Sequence, residues 1–302
     1  MFMHSRSFGL ISILRKMGLD KLAWALRRYC VPVSTEGLVL EVGAGGNPYP
    51  RSNVLLDAYE ETRERHWVPL VSDRPTVLGF VENLPFRDKV FDFVIAAHVL
   101  EHTAEPELFL GELQRVAKAG YIEVPDAFME RINPYKDHRL EITCRNQQLV
   151  IRKKAAWLKD EELVELYEDR VKPIITRSCI PNHPFEFHVQ YYWTGDISFV
   201  VTNSDVDANW VPEASTQNQL QAAGRRFSLR QSALNFLRGA LSQTVRNGQI
   251  KLLDLMRCPK CHSDALKRDG EIVNCHACSA HFPIKNGIFV MNEGEKSSPS
   301  VA

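Results

Sequence analysis

Leu38-Val39-Leu40-Glu41-Val42-Gly43-Ala44-Gly45-Gly46-Asn47-Pro48 is the stretch on which the fold turns. Its first five residues read as a short buried strand. The glycines at 43, 45 and 46 read as a tight turn, where the lack of a Cβ lets a ligand approach the backbone. A helix N-terminus beyond such a turn would offer free N–H groups to an anion. Val54-Leu55-Leu56 is a second apolar run and ends at Asp57. Further strands are predicted at 76–80, 91–97 and 120–124, with a helix around 105–117. Strands alternating with helices predict an α/β fold with a doubly wound, mostly parallel sheet.

Outward from this core the signals change. Residues 8–29 predict one amphipathic helix, its apolar face marked by Leu10, Ile13, Leu14, Met17, Leu22 and Leu26. That helix is expected to pack over the core edge, with a lid or a membrane-surface role as alternatives. A second helix is predicted over 153–170. Phe185–Tyr192 and Ile197–Val201 flank Thr194-Gly195-Asp196, a hairpin signal. Residues 204–225 are polar, and a helix is expected near 228–245. The domain organisation expected is 1–33, an N-terminal helix; 34–205, the α/β domain; 206–250, a linker with a helix; 251–292, a small metal-binding domain; and 293–302, a disordered tail.

The 302 residues carry 37 Lys+Arg against 37 Asp+Glu, so the total shows none of the basic excess common in nucleic-acid binders. No run approaches the roughly 18–20 apolar residues of a membrane span. Arg15 and Lys16 end the first apolar run without a small-residue cleavage site, which argues against a signal peptide and for a cytoplasmic protein.

Four of the seven cysteines form two pairs, Cys258-Pro259-Lys260-Cys261 and Cys275-His276-Ala277-Cys278. Zinc takes four tetrahedral ligands, and two such pairs supply four thiolates. The intervening Leu266–Val273 reads as a hairpin that brings them together. One structural zinc in a zinc ribbon is therefore expected.

Four stretches in order carry a resemblance: Leu40–Asn47, Glu82-Asn83-Leu84-Pro85-Phe86, Val90-Phe91-Asp92-Phe93-Val94 and His98-Val99-Leu100-Glu101-His102. With them, residues 38–125 resemble the class I S-adenosylmethionine-dependent methyltransferase family. The resemblance implies a Rossmann-like, seven-stranded sheet binding S-adenosylmethionine at the strand C-terminal ends. It implies that Glu41, Gly43, Gly45 and Gly46 shape the methionine end and that Asp57 takes the ribose. The adenine would meet Phe80, Glu82, Asn83 and Leu84. Two positions depart from the family: Asn47 replaces a common third glycine, and Phe80 stands where an acid usually contacts the adenine amino group. Residues 252–288 resemble the small zinc-binding activator subunit of methyltransferases, which implies a structural metal and a docking role toward a partner protein.

Methyl transfer needs alignment of the acceptor and, for an oxygen or nitrogen, a base. The candidates are His98, His102 and His138. The methyl acceptor is read as a small molecule, a glycan or RNA. Two other readings stand beside this one: a non-catalytic scaffold acting through its zinc ribbon, and a nicotinamide-dependent oxidoreductase, against which the Asn47-Pro48 spacing speaks.

Overall fold

The computed structural model describes residues 5–60, 69–132, 134–158, 160–210 and 242–292. In chain order the main elements are α1 (Ser5–Lys16), α2 (Asp20–Leu26), β1 (Val39–Val42), β2 (Val54–Asp57), β3 (Thr76–Leu78), β4 (Phe93–Ala97), α3 (Pro106–Val116), β5 (Ala119–Pro125) and α4 (Ala127–Ile132). They continue with β6 (Leu140–Arg145), β7 (Gln148–Lys153), α5 (Glu161–Leu166), β8 (His188–Thr194), β9 (Phe199–Val201), β10 (Leu266–Asp269), β11 (Ile272–Cys275), β12 (His281–Lys285) and β13 (Ile288–Val290). The expected helix near 228–245 and the tail after 292 fall mostly or wholly outside the described residues. No described helix is long and apolar enough to cross a membrane.

Two compact units share the chain. One draws on Met1–Gly37, Ile95–Gln114 and Lys118–Pro212, the other on Leu38–Val94, Arg115–Ala117 and Glu213–Ala302.

In the second unit β1, β2 and β3 pair in parallel, and every one of their residues is buried. Such strands read as unbroken apolar runs because both faces are covered. The connection from β1 to β2 contains no helix, contrary to the expected strand–turn–helix unit. Pro48 and Pro50 explain this, since a residue before proline is driven out of the α region. Two side chains take over the loop's polar groups. Glu41, buried in β1, accepts the Tyr49 N–H at 2.8 Å and the Ser52 hydroxyl at 2.6 Å. Arg74 Nη1 donates to the carbonyls of Tyr49 and Ser52 at 3.2 and 2.7 Å.

The cysteine-rich segment continues the same sheet. β10, β11, β12 and β13 form an antiparallel run, and β13 then pairs in parallel with β3 through Phe289↔Val77 and Val290↔Leu78. The hairpin expected over 266–273 is present as β10–β11, turning at Gly270 with φ 57°. Main-chain bonds reinforce the join: Arg87 N to Leu255 O at 2.9 Å and Arg257 N to Pro85 O at 3.1 Å.

The first unit corrects three expectations. The N-terminal helix breaks in two at Gly18, whose φ of 72° suits the left-handed end of α1. Leu14 and Ala23 are buried, but Leu10, Ile13, Met17 and Leu22 are exposed, so most of the apolar stripe does not pack over a core. The two runs around Gly195 do not pair as a hairpin. β8 runs antiparallel to β5 along its whole length, and β9 pairs in parallel with β7 in a separate three-stranded sheet. The true hairpin is β6–β7, turning at Asn146 and Gln147, both with positive φ (50° and 60°). That is a type I′ turn without its usual glycine. Helix α5 covers only part of the 153–170 prediction, because β7 already occupies Lys153.

Candidate active site

Three groups of functional side chains take shape. The first surrounds the glycine turn in the second unit. Gly43 and Gly45 adopt φ of 65° and 57°, the left-handed region that a Cβ disfavours. Asp57, at the C-terminal end of β2, is buried and bridges two backbone segments. Its Oδ2 accepts the Gly45 N–H at 3.0 Å and its Oδ1 the Tyr59 N–H at 3.3 Å. Phe80 is half-buried with its ring edge-on to Tyr59 at 5.9 Å between centroids. Glu82 is half-buried in the turn Val81–Asn83, and Gly46 lies beside Gly45, also half-buried. Asn83 is committed elsewhere, its Nδ2 donating to Pro259 O at 2.8 Å. The Leu84 side chain is wholly buried, and its carbonyl accepts from Arg115 at 2.8 Å. Glu41 faces the 49–52 loop, as described above.

The second group is the four cysteines. One sulfur from each lies within 4.8 Å of the others, with Cys258 to Cys278 at 3.7 Å and Cys261 to Cys275 at 3.5 Å. Tetrahedral zinc at roughly 2.3 Å from each sulfur would hold them about 3.8 Å apart. The two loops repeat one design. Cys258 N bonds Ser263 O at 2.8 Å and His262 N bonds Cys258 O at 2.9 Å. Likewise, Cys275 N bonds Ala280 O and Ser279 N bonds Cys275 O, both at 2.9 Å. His262 and Ser279 both take positive φ, 60° and 58°.

The third group lies in the first unit and collects the three candidate histidines around buried carboxylates. His98, itself at φ 57°, places Nδ1 3.5 Å from Glu101 Oε1 and Nε2 3.4 Å from Glu123 Oε1. Burial acts to lower its pKa, but the approach and charge of the two glutamates outweigh it and push it up to about 9. Glu123 also takes a bidentate pair from Arg27, with Nε at 2.7 Å and Nη2 at 2.6 Å, and the Tyr121 hydroxyl. Burial works to raise its pKa, yet the Arg27, His98 and Tyr121 bonds hold it well below the usual carboxylate range. His102 and His138 meet edge to face, 4.8 Å between ring centroids, close to Glu101. Sequence reading had marked the histidines but not Glu101, Glu123, Arg27 or Glu130. A signal existed for Glu123: a charged residue inside the buried run of β5 requires a partner.

The first unit also holds a cavity of about 670 Å³ beside α1, α2 and β8, with Arg15, Lys16, Arg27, His188 and Tyr192 on its walls.

Comparison with known proteins bears on these groups. Residues 48–122 match a family described as a methyltransferase domain. The chain carries a methyltransferase domain. The match begins just past the glycine turn and takes in Asp57, the Leu84-Pro85-Phe86 stretch and the Leu100-Glu101-His102 stretch. Among solved structures, a complex of the Haloferax volcanii Trm112 methyltransferase activator with a methyltransferase is similar at 15% identity. It covers 65% of this chain and 98% of that one, with a TM-score of 0.35. A Bacillus subtilis protein, YcgJ, is similar at 19% identity over 50% of this chain and 81% of that one, TM-score 0.31. An Aquifex aeolicus S-adenosylmethionine-dependent methyltransferase is similar at 23% identity over 42% and 75%, TM-score 0.27. No curated protein matches the sequence significantly. No helix opens after the Gly43–Gly46 turn, so the helix-end pyrophosphate seat of nicotinamide enzymes is missing.

Proposed function

We propose that the enzyme binds S-adenosylmethionine at the Gly43–Gly46 turn and Asp57 and methylates an oxygen or nitrogen of a small molecule. Asp57 carries this reading: a buried carboxylate at a parallel strand's C-terminal end, locked to the glycine turn. It fits the two ribose hydroxyls. When bound, the cofactor supplies an electrophilic methyl group. Gly43, Gly45 and Gly46 let its methionine end approach the backbone, while Glu41 and Arg74 hold the loop that stands where a helix was expected. Phe80 offers the adenine a ring to pack against, and Glu82 an acceptor for its amino group. Asn83 and Leu84 hold the 81–84 turn in place rather than touching the ring. The acceptor side is drawn from His98, His102 and His138. His98, cationic near neutrality, suits a developing oxyanion better than proton removal. A small molecule is favoured over RNA because the formal net charge is zero, without the basic excess common in nucleic-acid binders.

Calorimetric titration tests the cofactor reading. S-adenosylmethionine should bind the wild type, NAD should not, and Asp57→Asn should weaken binding about tenfold or more, the scale of a lost charge-assisted hydrogen bond. Binding of neither ligand to zinc-loaded protein would defeat it.

The four cysteines are proposed to hold one structural zinc, and the ribbon to act in cis by covering the edge of β3. Elemental analysis should find the metal. A chelator should then remove hydrogen-exchange protection from β11–β13 first, because zinc binding to such sites contributes on the order of 10 kcal/mol. Intact thiols without metal would overturn this reading.

A further inference from the structure

Glu101 is 2% exposed, and neither of its carboxylate oxygens has a hydrogen-bond partner. The 3.5 Å approach of His98 is an ion-pair distance rather than a formed bond. Facing this carboxylate are two imidazoles whose protons are already assigned by their other neighbours. His102 Nδ1 lies 3.0 Å from the Asp137 carbonyl, which can only accept, so Nδ1 carries a hydrogen and Nε2 is the nitrogen left for another partner. His138 Nδ1 lies 2.7 Å from Glu130 Oε2, with the same consequence. Glu130 is itself buried and fixed by Lys154 Nζ at 2.6 Å and the Tyr135 N–H at 3.0 Å. Tyr135 stacks on His138 and sets its ring plane, 4.8 Å between centroids.

One ligand atom from each of Glu101, His102 and His138 lies within 4.8 Å of the others. Buried acceptors without a donor are costly, and a cation among them removes the cost. We propose that Glu101, His102 and His138 form a second metal site, distinct from the four cysteines, that takes a divalent first-row transition metal. Two imidazoles and one carboxylate are the donor set of zinc and iron(II) sites that keep open positions, whereas calcium and magnesium prefer all-oxygen sets. The Glu130–His138 bond is the carboxylate–histidine support that orients ligating imidazoles. The open positions take water or an oxygen of a ligand. The site stands on its own geometry and holds whether or not the cofactor reading does.

The test uses the full chain. Cobalt(II) added to metal-free protein reports the two sites separately, since thiolate ligands give intense charge-transfer absorption and nitrogen–oxygen ligands only weak visible bands. Wild type should bind roughly two equivalents. His138→Gln and Glu101→Gln should keep the thiolate signal and lose the weak bands with one equivalent. Glu101→Gln is close to isosteric and guards against a folding defect in the histidine variant. Zinc, iron(II) and manganese(II) loading, counted by mass spectrometry, identifies the preferred ion. One equivalent in wild type with every metal, or unchanged stoichiometry in both variants, would overturn the proposal.

Discussion

Two buried glutamates in the same unit are treated in opposite ways. Glu123 is 1% exposed and receives Arg27 at both oxygens, the Tyr121 hydroxyl and His98. Glu101 is 2% exposed and receives no hydrogen bond at all. His98 stands at nearly equal distance from each, so the histidine does not account for the difference. What separates them is a guanidinium bonded at both oxygens. The fold brings Arg27 from α2 onto β5 for Glu123 and stacks its guanidinium over Trp24 at 3.5 Å. Around Glu101 it gathers two imidazoles instead. One carboxylate is neutralised from within the chain, and the other is arranged for an ion from outside.

Breaking the internally balanced pair should have the largest effect. Arg27→Met removes the bidentate guanidinium and leaves buried Glu123 to His98 and to neutral donors such as Tyr121, and should cost about 3–5 kcal/mol of stability, read by urea unfolding. The same pair has a pH signature. The folded-state pKa of Glu123 is held low, so its contribution is present above the unfolded carboxylate value of about 4.3 and is lost as pH falls below it. Glu123→Gln should therefore flatten the acid side of the stability curve between about pH 5 and 3. An unchanged acid limb would mean that Arg27 and Glu123 are not coupled in solution.

These two environments differ in how far they could be read ahead. The four cysteines were legible because each half-site is a four-residue loop whose own backbone aims both sulfurs. The parallel core was legible for a similar reason, as β1, β2 and β3 are short, largely apolar runs, and Gly43 and Asp57 stand at the ends of the first two. The prolines at 48 and 50 were visible too, but their consequence, a β1–β2 loop without a helix, depends on Glu41 and Arg74 closing it from either side. The Glu101 cluster depends on topology. His138 lies 36 residues beyond His102, and only the path of α4 and the following loop, tied by Arg139 N to Glu101 O at 2.7 Å, brings them together. The β6–β7 hairpin hid because Asn146-Gln147 lacks the glycine that announces such a turn.

The support behind the metal ligands gives the next effect in size. Glu130→Gln keeps the shape but weakens the acceptor that polarises His138. Metal affinity at the histidine site should fall about tenfold or more, with the thiolate site unchanged. Equal losses at both sites would point to general destabilisation instead.

The smallest effect is also the sharpest on the contrast. In metal-free protein, Glu101→Gln replaces a buried carboxylate that no hydrogen bond holds by a neutral amide of the same shape. His98 keeps Glu123 as its partner, so stability should stay level or rise by about 1 kcal/mol. With the metal added, the sign should reverse, because wild type gains the binding energy that the variant has lost. Thermal unfolding of both proteins, with and without added zinc(II), reads this crossing directly. A variant that is less stable than wild type under both conditions would show that Glu101 is satisfied by the chain itself, and the two glutamates would then differ only in which partners they use.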